Sequence, residues 1–279
     1  MTTSQDTETA AAFATSWQNC YSDSPYTREQ YLEWIEPLRP ADLQGKSICE
    51  LGCGHGGLLR YTAEYAQPGG RVTGVDLGDS VRTAEANFQS AGTPNASFVQ
   101  MDIQEFARQN EGRFDVVYCI GVLHHMKSPQ EGFRSVVRAT RPGGRFHCWV
   151  YGYEGTALVR YLVEPLRRVA WRLPWWVNKY GVALPLSVPF FMVSKAAHAL
   201  RDFKPTDAFP MVGYFRHIGQ REFDFHHHVA FDQLVTPQTT FIRREQIEGW
   251  LRDEGQSVEE TYILPRNGNS WKFGGRKKA

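Results

Sequence analysis

Three carboxylates occupy matching places in the first half of the chain. Glu50, Asp76 and Asp102 stand at the ends of three apolar runs, at 47–51, 71–76 and 97–101. Glycines follow the first of them at 52, 54, 56 and 57. A glycine turn lets backbone approach a ligand closely. Between a strand and a helix, such a turn is where open α/β sheets bind nucleotide-like ligands. Glycine also stands at the third position of a G-x-G-x-x-G spacing, so spacing alone leaves a dinucleotide open. Glu50 weighs against it: a carboxylate beside a diphosphate is misplaced, whereas it suits an ammonium group. Asp76, 20 residues after Gly56, can take both hydroxyls of a ribose. Asp102 can accept a hydrogen bond from an adenine amino group. Singly, each acid reads as a helix cap; three at successive strand ends beside a glycine turn read as a site.

Two histidines, His124 and His125, follow a fourth apolar run at 114–120. An imidazole near its ordinary pKa suits proton removal at neutral pH. A further cluster, Asp224 with His226, His227 and His228, would place residues 224, 226 and 228 on one face of a strand. That arrangement offers either a metal trio or an acceptor-side base; the reading taken is no metal, with His228 or His227 touching an acceptor.

The elements that must hold these residues follow from periodicity. Strand-like runs at 47–51, 71–76, 97–101, 114–120 and 145–151 alternate with helical patterns at 58–66, 80–91, 103–109 and 129–140. That alternation predicts a parallel sheet covered on both faces, with right-handed crossovers. From 152 to about 240 the alternation breaks into an aromatic, proline-rich segment. A helix at 243–254 and strands at 258–264 and 270–273 then return to the α/β pattern. The expected organisation is an N-terminal tail and helices at 1–40, a cofactor-binding core at 41–151, an insertion at 152–240, and the rest of the core sheet at 241–279. Residues 1–12 read as a disordered tail, and 13–40 as one or two short helices.

At this point the chain resembles the class I S-adenosylmethionine-dependent methyltransferases. The residues that carry the resemblance are ELGCGHG at 50–56, VDL at 75–77, QMDI at 100–103, FDVVYCIGVLHH at 114–125 and RPGG at 141–144. It covers about 45–150 well and the last helix and strands loosely. It implies a Rossmann-like, seven-stranded, mostly parallel sheet with an antiparallel last strand and helices on both faces. S-adenosylmethionine is the implied cofactor and S-adenosylhomocysteine the product. Glu50 with Gly52, Cys53 and Gly54 would hold the methionine part. Asp76, with Leu77, would hold the ribose, and Asp102, with Ile103, would lie by the adenine. Residues 119–121, Ile120 among them, would line the donor. Tyr21 and Arg28, with Tyr31, are the N-terminal residues that could close over it, because a guanidinium can hold the donor's carboxylate.

The reaction then expected is methyl transfer to a small or lipid-like acceptor, at oxygen. It needs in-line alignment and, for a hydroxyl, removal of a proton, for which His125, His124 and His228 are candidates. A base is not obligatory. Alternatives are an RNA-modifying methyltransferase and a non-catalytic protein that binds the donor.

In the insertion, Leu158, Tyr161, Leu162, Pro165, Leu166, Val169 and Leu173 trace one helical face, with Arg160, Arg167, Arg168 and Arg172 off it. That predicts a mainly helical lid whose apolar face covers an acceptor pocket, its arginines in water. Residues 160–204 hold eight Lys/Arg against two acids, with Trp171, Trp175 and Trp176. A peripheral contact of 156–204 with an anionic membrane surface is the competing reading. Either way the acceptor is apolar or partly anionic. The most apolar run, 181–194, is too short and too broken by proline to predict a span. Net charge of +1 gives no field for a nucleic acid. Five cysteines without metal-ligand spacing and the absence of a signal-peptide pattern lead to the expectation of a cytoplasmic protein. The segment 232–237 serves only to place the end of the lid, and the sequence leaves oligomeric state open.

Overall fold

The structure is a computed structural model that describes residues 4–19 and 26–279. The central runs form strands buried on both faces, as parallel strands covered by helices must be, while the run at the sheet edge is only half-buried. The strands are β1 (Ser47–Leu51), β2 (Arg71–Asp76), β3 (Ala96–Gln100), β4 (Phe114–Ile120) and β5 (Thr140–Tyr151). With β6 (Val258–Arg266) and β7 (Ser270–Lys277) they make one seven-stranded sheet in the order β3-β2-β1-β4-β5-β7-β6. Strand β7 runs antiparallel to both of its neighbours and the pairs among β1–β5 are parallel. The expected Rossmann-like sheet is therefore present, antiparallel strand included. β5 starts earlier than its apolar run, because the Arg141-Pro142-Gly143-Gly144 turn is drawn into the strand.

Helices α4 (Leu59–Ala66), α5 (Ser80–Ser90), α6 (Ile103–Gln109), α7 (Pro129–Ala139) and α12 (Arg244–Asp253) cover the sheet. Their inward residues complete two apolar layers. One gathers Leu51, Val117, Phe133, Phe146 and Trp250; the other gathers Ile48, Leu59, Val72 and Val116.

The N-terminal region departs from expectation. Instead of a disordered tail, α1 (Ser4–Gln18) is a helix, and α2 (Arg28–Ile35) and α3 (Pro40–Leu43) follow. The Asp6, Ala10, Phe13 and Trp17 spacing gives α1 a continuous stripe that lies against the cavity described below.

After β5 the chain enters the insertion and leaves it again at one seam. Gly152 pairs with Ile242, the Tyr153 amide donates to the Ile242 carbonyl (2.9 Å), and the Ile242 amide donates to the Tyr151 carbonyl (2.9 Å). Between these points lie α8 (Glu164–Ala170), preceded by a wider turn at Val159–Val163, and α9 (Leu184–Ala199), preceded by one at Val177–Ala183. Then come α10 (Val212–Ile218) and α11 (Phe223–Val235).

The first of these helices departs in part from the predicted polarity. Arg167 is 1% exposed, whereas Tyr161 is 71% and Leu162 is 64% exposed. The Arg167 Nε and Nη2 donate to the Gln233 backbone carbonyl and side-chain oxygen (2.6 and 2.9 Å), and Nη1 donates to Glu164 (2.7 Å). With Gln233 and Glu164 as acceptors the Arg167 guanidinium takes the inner face and Tyr161, Leu162 and Val169 turn outward, while Leu166 packs inward and Arg168 and Arg172 lie in water as expected. In α9 the inner face carries Ser187 and Ser194, continuing Ala183 of the preceding turn, while Leu186, Val188, Met192 and Val193 are exposed. Val177–Ala199 forms a continuous 23-residue helix, long and apolar enough to cross a membrane, because prolines 185 and 189 do not interrupt it. The run that sequence reading judged too short is thus extended by its flanks.

Candidate active site

At the carboxyl ends of β1–β5, a single cavity is lined by Glu50, Gly52, Cys53, Gly54, Asp76, Leu77, Asp102, Ile103 and Ile120. The same cavity continues to His125, Trp34, Trp149, Tyr151, Phe225 and His228. The glycine turn needs its glycines. Gly52 has φ 81°, and a Cβ there would meet Val122 Cγ2 at 2.1 Å.

Glu50 is buried. It accepts from the Tyr118 hydroxyl (3.0 Å), which is followed by Thr62 (2.7 Å) and Tyr31 (2.8 Å) in a chain of hydroxyls. Burial raises its pKa to about 8, the Tyr118 hydrogen bond opposes that rise, and the nearby Asp76 charge adds to it. A carboxylate so deprived of solvent is a seat for a cation. Asp76 bridges two turns: its oxygens accept from the Gly54 and Gly78 amides, both at 2.9 Å. Burial raises its pKa as well, against the pull of those amides. Asp102 is both cap and cavity wall. It accepts from the Gln104 and Glu105 amides at the start of α6 (2.8 and 3.2 Å). The capping and ligand readings of this residue are geometrically compatible, since a carboxylate has lone pairs for both.

His125 Nδ1 lies 2.9 Å from the Gln238 carbonyl, a contact that places the proton on Nδ1 and leaves Nε2 as the acceptor. Burial lowers its pKa to about 3. His124 does not line the cavity; its Nδ1 accepts from the Tyr151 amide at 3.4 Å. His228 does line it, on α11, with its pKa pushed down to about 3 by burial. The strand expected at 224–228 is helical, so residues 224, 226 and 228 do not share a face. His226 instead packs against Phe190 and Phe191.

Arg28 lies elsewhere. It pairs with Glu64 at 2.9 Å on the surface and does not reach the cavity, because α2 directs it toward α4. Tyr21 lies outside the described residues. Tyr31 reaches the site only through its hydroxyl chain to Glu50.

Three contributors escape sequence reading. Helix α1 supplies Phe13, 4.7 Å from the His125 ring, and Trp17, stacked 4.3 Å from His55. Asp232, on α11, lines the cavity; burial raises its pKa to about 6, although the Ser16 hydroxyl donates to it at 3.0 Å. Arg266, at the end of β6, lines the opposite end. The helical stripe of α1 was readable in the sequence; Asp232 and Arg266 carry no local signal.

Residues 49–146 match the family model described as a methyltransferase domain. They form a class I S-adenosylmethionine-dependent methyltransferase domain. The ubiquinone biosynthesis O-methyltransferase of Albidiferax ferrireducens is 36% identical over 121 residues, 43% of this chain and 44% of its own length. Its counterpart in Pseudomonas aeruginosa is 32% identical over 114 residues, 41% of this chain and 47% of its own. The chain thus spans under half the length of the curated relatives it matches. A solved structure described as a possible exported protein from Bordetella parapertussis covers 90% of this chain, and 68% of its own chain is matched, at 15% identity and a TM-score of 0.55. The S-adenosylmethionine-dependent methyltransferase SibL covers 89% of this chain, with 54% of its own matched, at 15% identity and 0.51. The methyltransferase domain fits its cofactor on physical grounds. A buried carboxylate suits the cationic end of S-adenosylmethionine, and a backbone cradle that a Cβ would fill stands beside it.

Proposed function

We propose that the chain transfers a methyl group from S-adenosylmethionine to an oxygen of a small, largely apolar acceptor. One observation carries this reading: a single cavity joins the three donor-end carboxylates to a chamber walled by Trp34, Trp149, Tyr151 and Phe225. The relatives' name, O-methyltransferase, points to the same atom type, although the match covers the donor half only. When bound, S-adenosylmethionine supplies an electrophilic methyl on a sulfonium. Glu50 would hold its ammonium, Asp76 its ribose and Asp102 its adenine side. The aromatic chamber excludes water and aligns the acceptor.

For the proton, Asp232 is better matched than the histidines. A group with a pKa of about 6 is ionised at neutral pH and still basic enough to accept a proton, whereas imidazoles near 3 are weak bases. His125, with Nε2 as acceptor, would orient the hydroxyl. Asp232→Asn should lower kcat about 100-fold and leave S-adenosylhomocysteine affinity within about twofold. Equal turnover with a panel of phenolic acceptors would remove Asp232 from that role. Failure of the wild type to bind S-adenosylhomocysteine in calorimetry would end the methyl-transfer reading itself.

The acceptor on this reading comes from a membrane. Among the described residues, the exposed large apolar side chains all lie between Tyr161 and Phe209. Trp175, Trp176, Met192 and Leu200 stand exposed there, beside exposed Arg168, Arg172, Arg201 and Lys204. Apolar and aromatic side chains among basic ones match an anionic lipid surface. The inner face of α9 packs on α11, which favours lying in the interface over crossing it. Co-sedimentation with phosphatidylglycerol vesicles, weakened by salt and abolished by Leu162→Glu with Met192→Glu, is the expected result. A salt-insensitive dimer lost in the same double variant, without vesicle binding, would assign the face to a second copy instead.

A further inference from the structure

Charge divides the cavity. Glu50, Asp76 and Asp102 crowd the end formed by β1, β2 and β3, and Asp6 and Asp232 line it along α1 and α11. Among the described lining residues, Arg266 is the one Lys or Arg. It ends β6, on the far flank of the sheet from β2 and β3.

Arg266 is 8% exposed, and its guanidinium carbon lies 5.3 Å from the Trp34 ring centroid and 5.9 Å from that of Trp149. Its one carboxylate partner is Glu33, reached by Nη2 at 3.0 Å. Glu33 is itself about a third exposed and shared with His217 at 3.6 Å. His217 offers Nε2 to the same Nη2 at a marginal 3.5 Å, and burial holds its pKa down. Arg266 Nε has no acceptor among the described residues. The same holds for the indole N–H groups of Trp34 and Trp149, whose rings are 5.9 Å apart. Buried N–H donors are almost always bonded, and a buried guanidinium with five donors and one half-solvated partner is under-compensated. Here three such donors belong to side chains in mutual contact, in the chamber that the donor-end carboxylates leave to the acceptor.

We infer that Arg266, with Trp34 and Trp149, receives an acidic group of the methyl acceptor, a carboxylate in the first instance. This inference rests on the methyl-transfer reading and narrows it: the acceptor is an anionic amphiphile, its acid at β6, its apolar body against the aromatic chamber, and its nucleophilic oxygen toward Asp232 and His125. A guanidinium recognises a carboxylate through parallel N–H bonds, and the flanking indole faces stabilise its charge. The competing source of the same chemistry is the donor's own carboxylate.

The test uses the full chain saturated with S-adenosylhomocysteine. Hydroxylated aryl carboxylates and hydroxy fatty acids of graded length are titrated beside their neutral carboxamides, with tryptophan fluorescence and calorimetry as readouts. The wild type should bind carboxylates at least about tenfold more tightly than the matched amides. Arg266→Gln should erase that preference with S-adenosylhomocysteine affinity unchanged, and Arg266→Lys should keep part of it. Trp149→Phe, which removes one N–H and keeps a ring, should reduce the preference and guards against a misfolded Arg266 variant. No carboxylate preference in the wild type, or one that survives in Arg266→Gln, overturns the inference. So does weakened S-adenosylhomocysteine binding in Arg266→Gln, which would give the guanidinium to the donor. A wild type that fails to bind S-adenosylhomocysteine at all would instead defeat the methyl-transfer reading.

Discussion

The donor-binding half and the insertion differ in what they leave on the outside. In the first, large apolar side chains such as Leu51, Val75 and Val117 are buried, and the acids sit at strand ends beside the cavity. In the second, Phe231, Leu234 and Val235 form an ordinary apolar core, but Arg167, Ser187 and Ser194 also face inward while Tyr161, Leu162, Met192 and Trp176 face out. Ordinary burial explains the first half. The second leaves a large exposed apolar patch, the kind of surface that interactions use.

The largest effect that would break this contrast concerns Arg167. Arg167→Ala should destabilise the protein by about 3 kcal/mol, since it removes a buried guanidinium and leaves the Gln233 oxygens without their donor; urea unfolding would measure it. A loss under about 1 kcal/mol would mean that the guanidinium does not anchor α8. Nearly as large is Asp76→Ala, which strips the Gly54 and Gly78 amides of their acceptor as well as the ribose. Affinity for S-adenosylhomocysteine should fall about 100-fold, and an unchanged value in calorimetry would take Asp76 out of the site. Smaller is the pH dependence of donor binding. With Glu50 near pKa 8 in the free protein, the group is largely protonated at pH 7. A bound cation favours its ionised form, so binding releases a proton and affinity rises with pH up to about 8, then levels. Glu50→Gln should flatten that profile; an unaltered slope would show that another group titrates. The smallest effect sharpens the comparison from the other side. Leu162→Ser should change stability by under about 0.5 kcal/mol, where a core leucine would cost several times more.

Much of the donor half was legible because its signals are local. An apolar run, an acid at its end and a glycine turn lie within a dozen residues at β1, and β2 repeats the acid and a glycine while β3 repeats the acid. The N-terminal helix was misread because its alanines and acids resemble a tail, although the Asp6, Ala10, Phe13, Trp17 stripe was present. The histidine cluster was read as a strand because a short run of alternating residues cannot tell period 2 from period 3.6; packing of His226 on α9 decides it. Arg28 failed because a guanidinium near the site in sequence found Glu64 first. Asp232 and Arg266 were illegible, since their partners Ser16 and Glu33 lie more than 200 residues away. For the insertion, periodicity found the helical stripe at 158–173 but could not say which face turned inward; the acceptors on Gln233 decide it for Arg167.

The seam at Gly152 and Ile242 has a further consequence. Both ends of the intervening segment are stitched to one point, a strand spacing apart. Changes in its length therefore add only slowly growing closure entropy, and the sheet beneath keeps its register. Length can then vary in the outer turns of the segment, away from the Ser16–Asp232 and His125–Gln238 contacts that moor its inner side, without reaching the strand ends below.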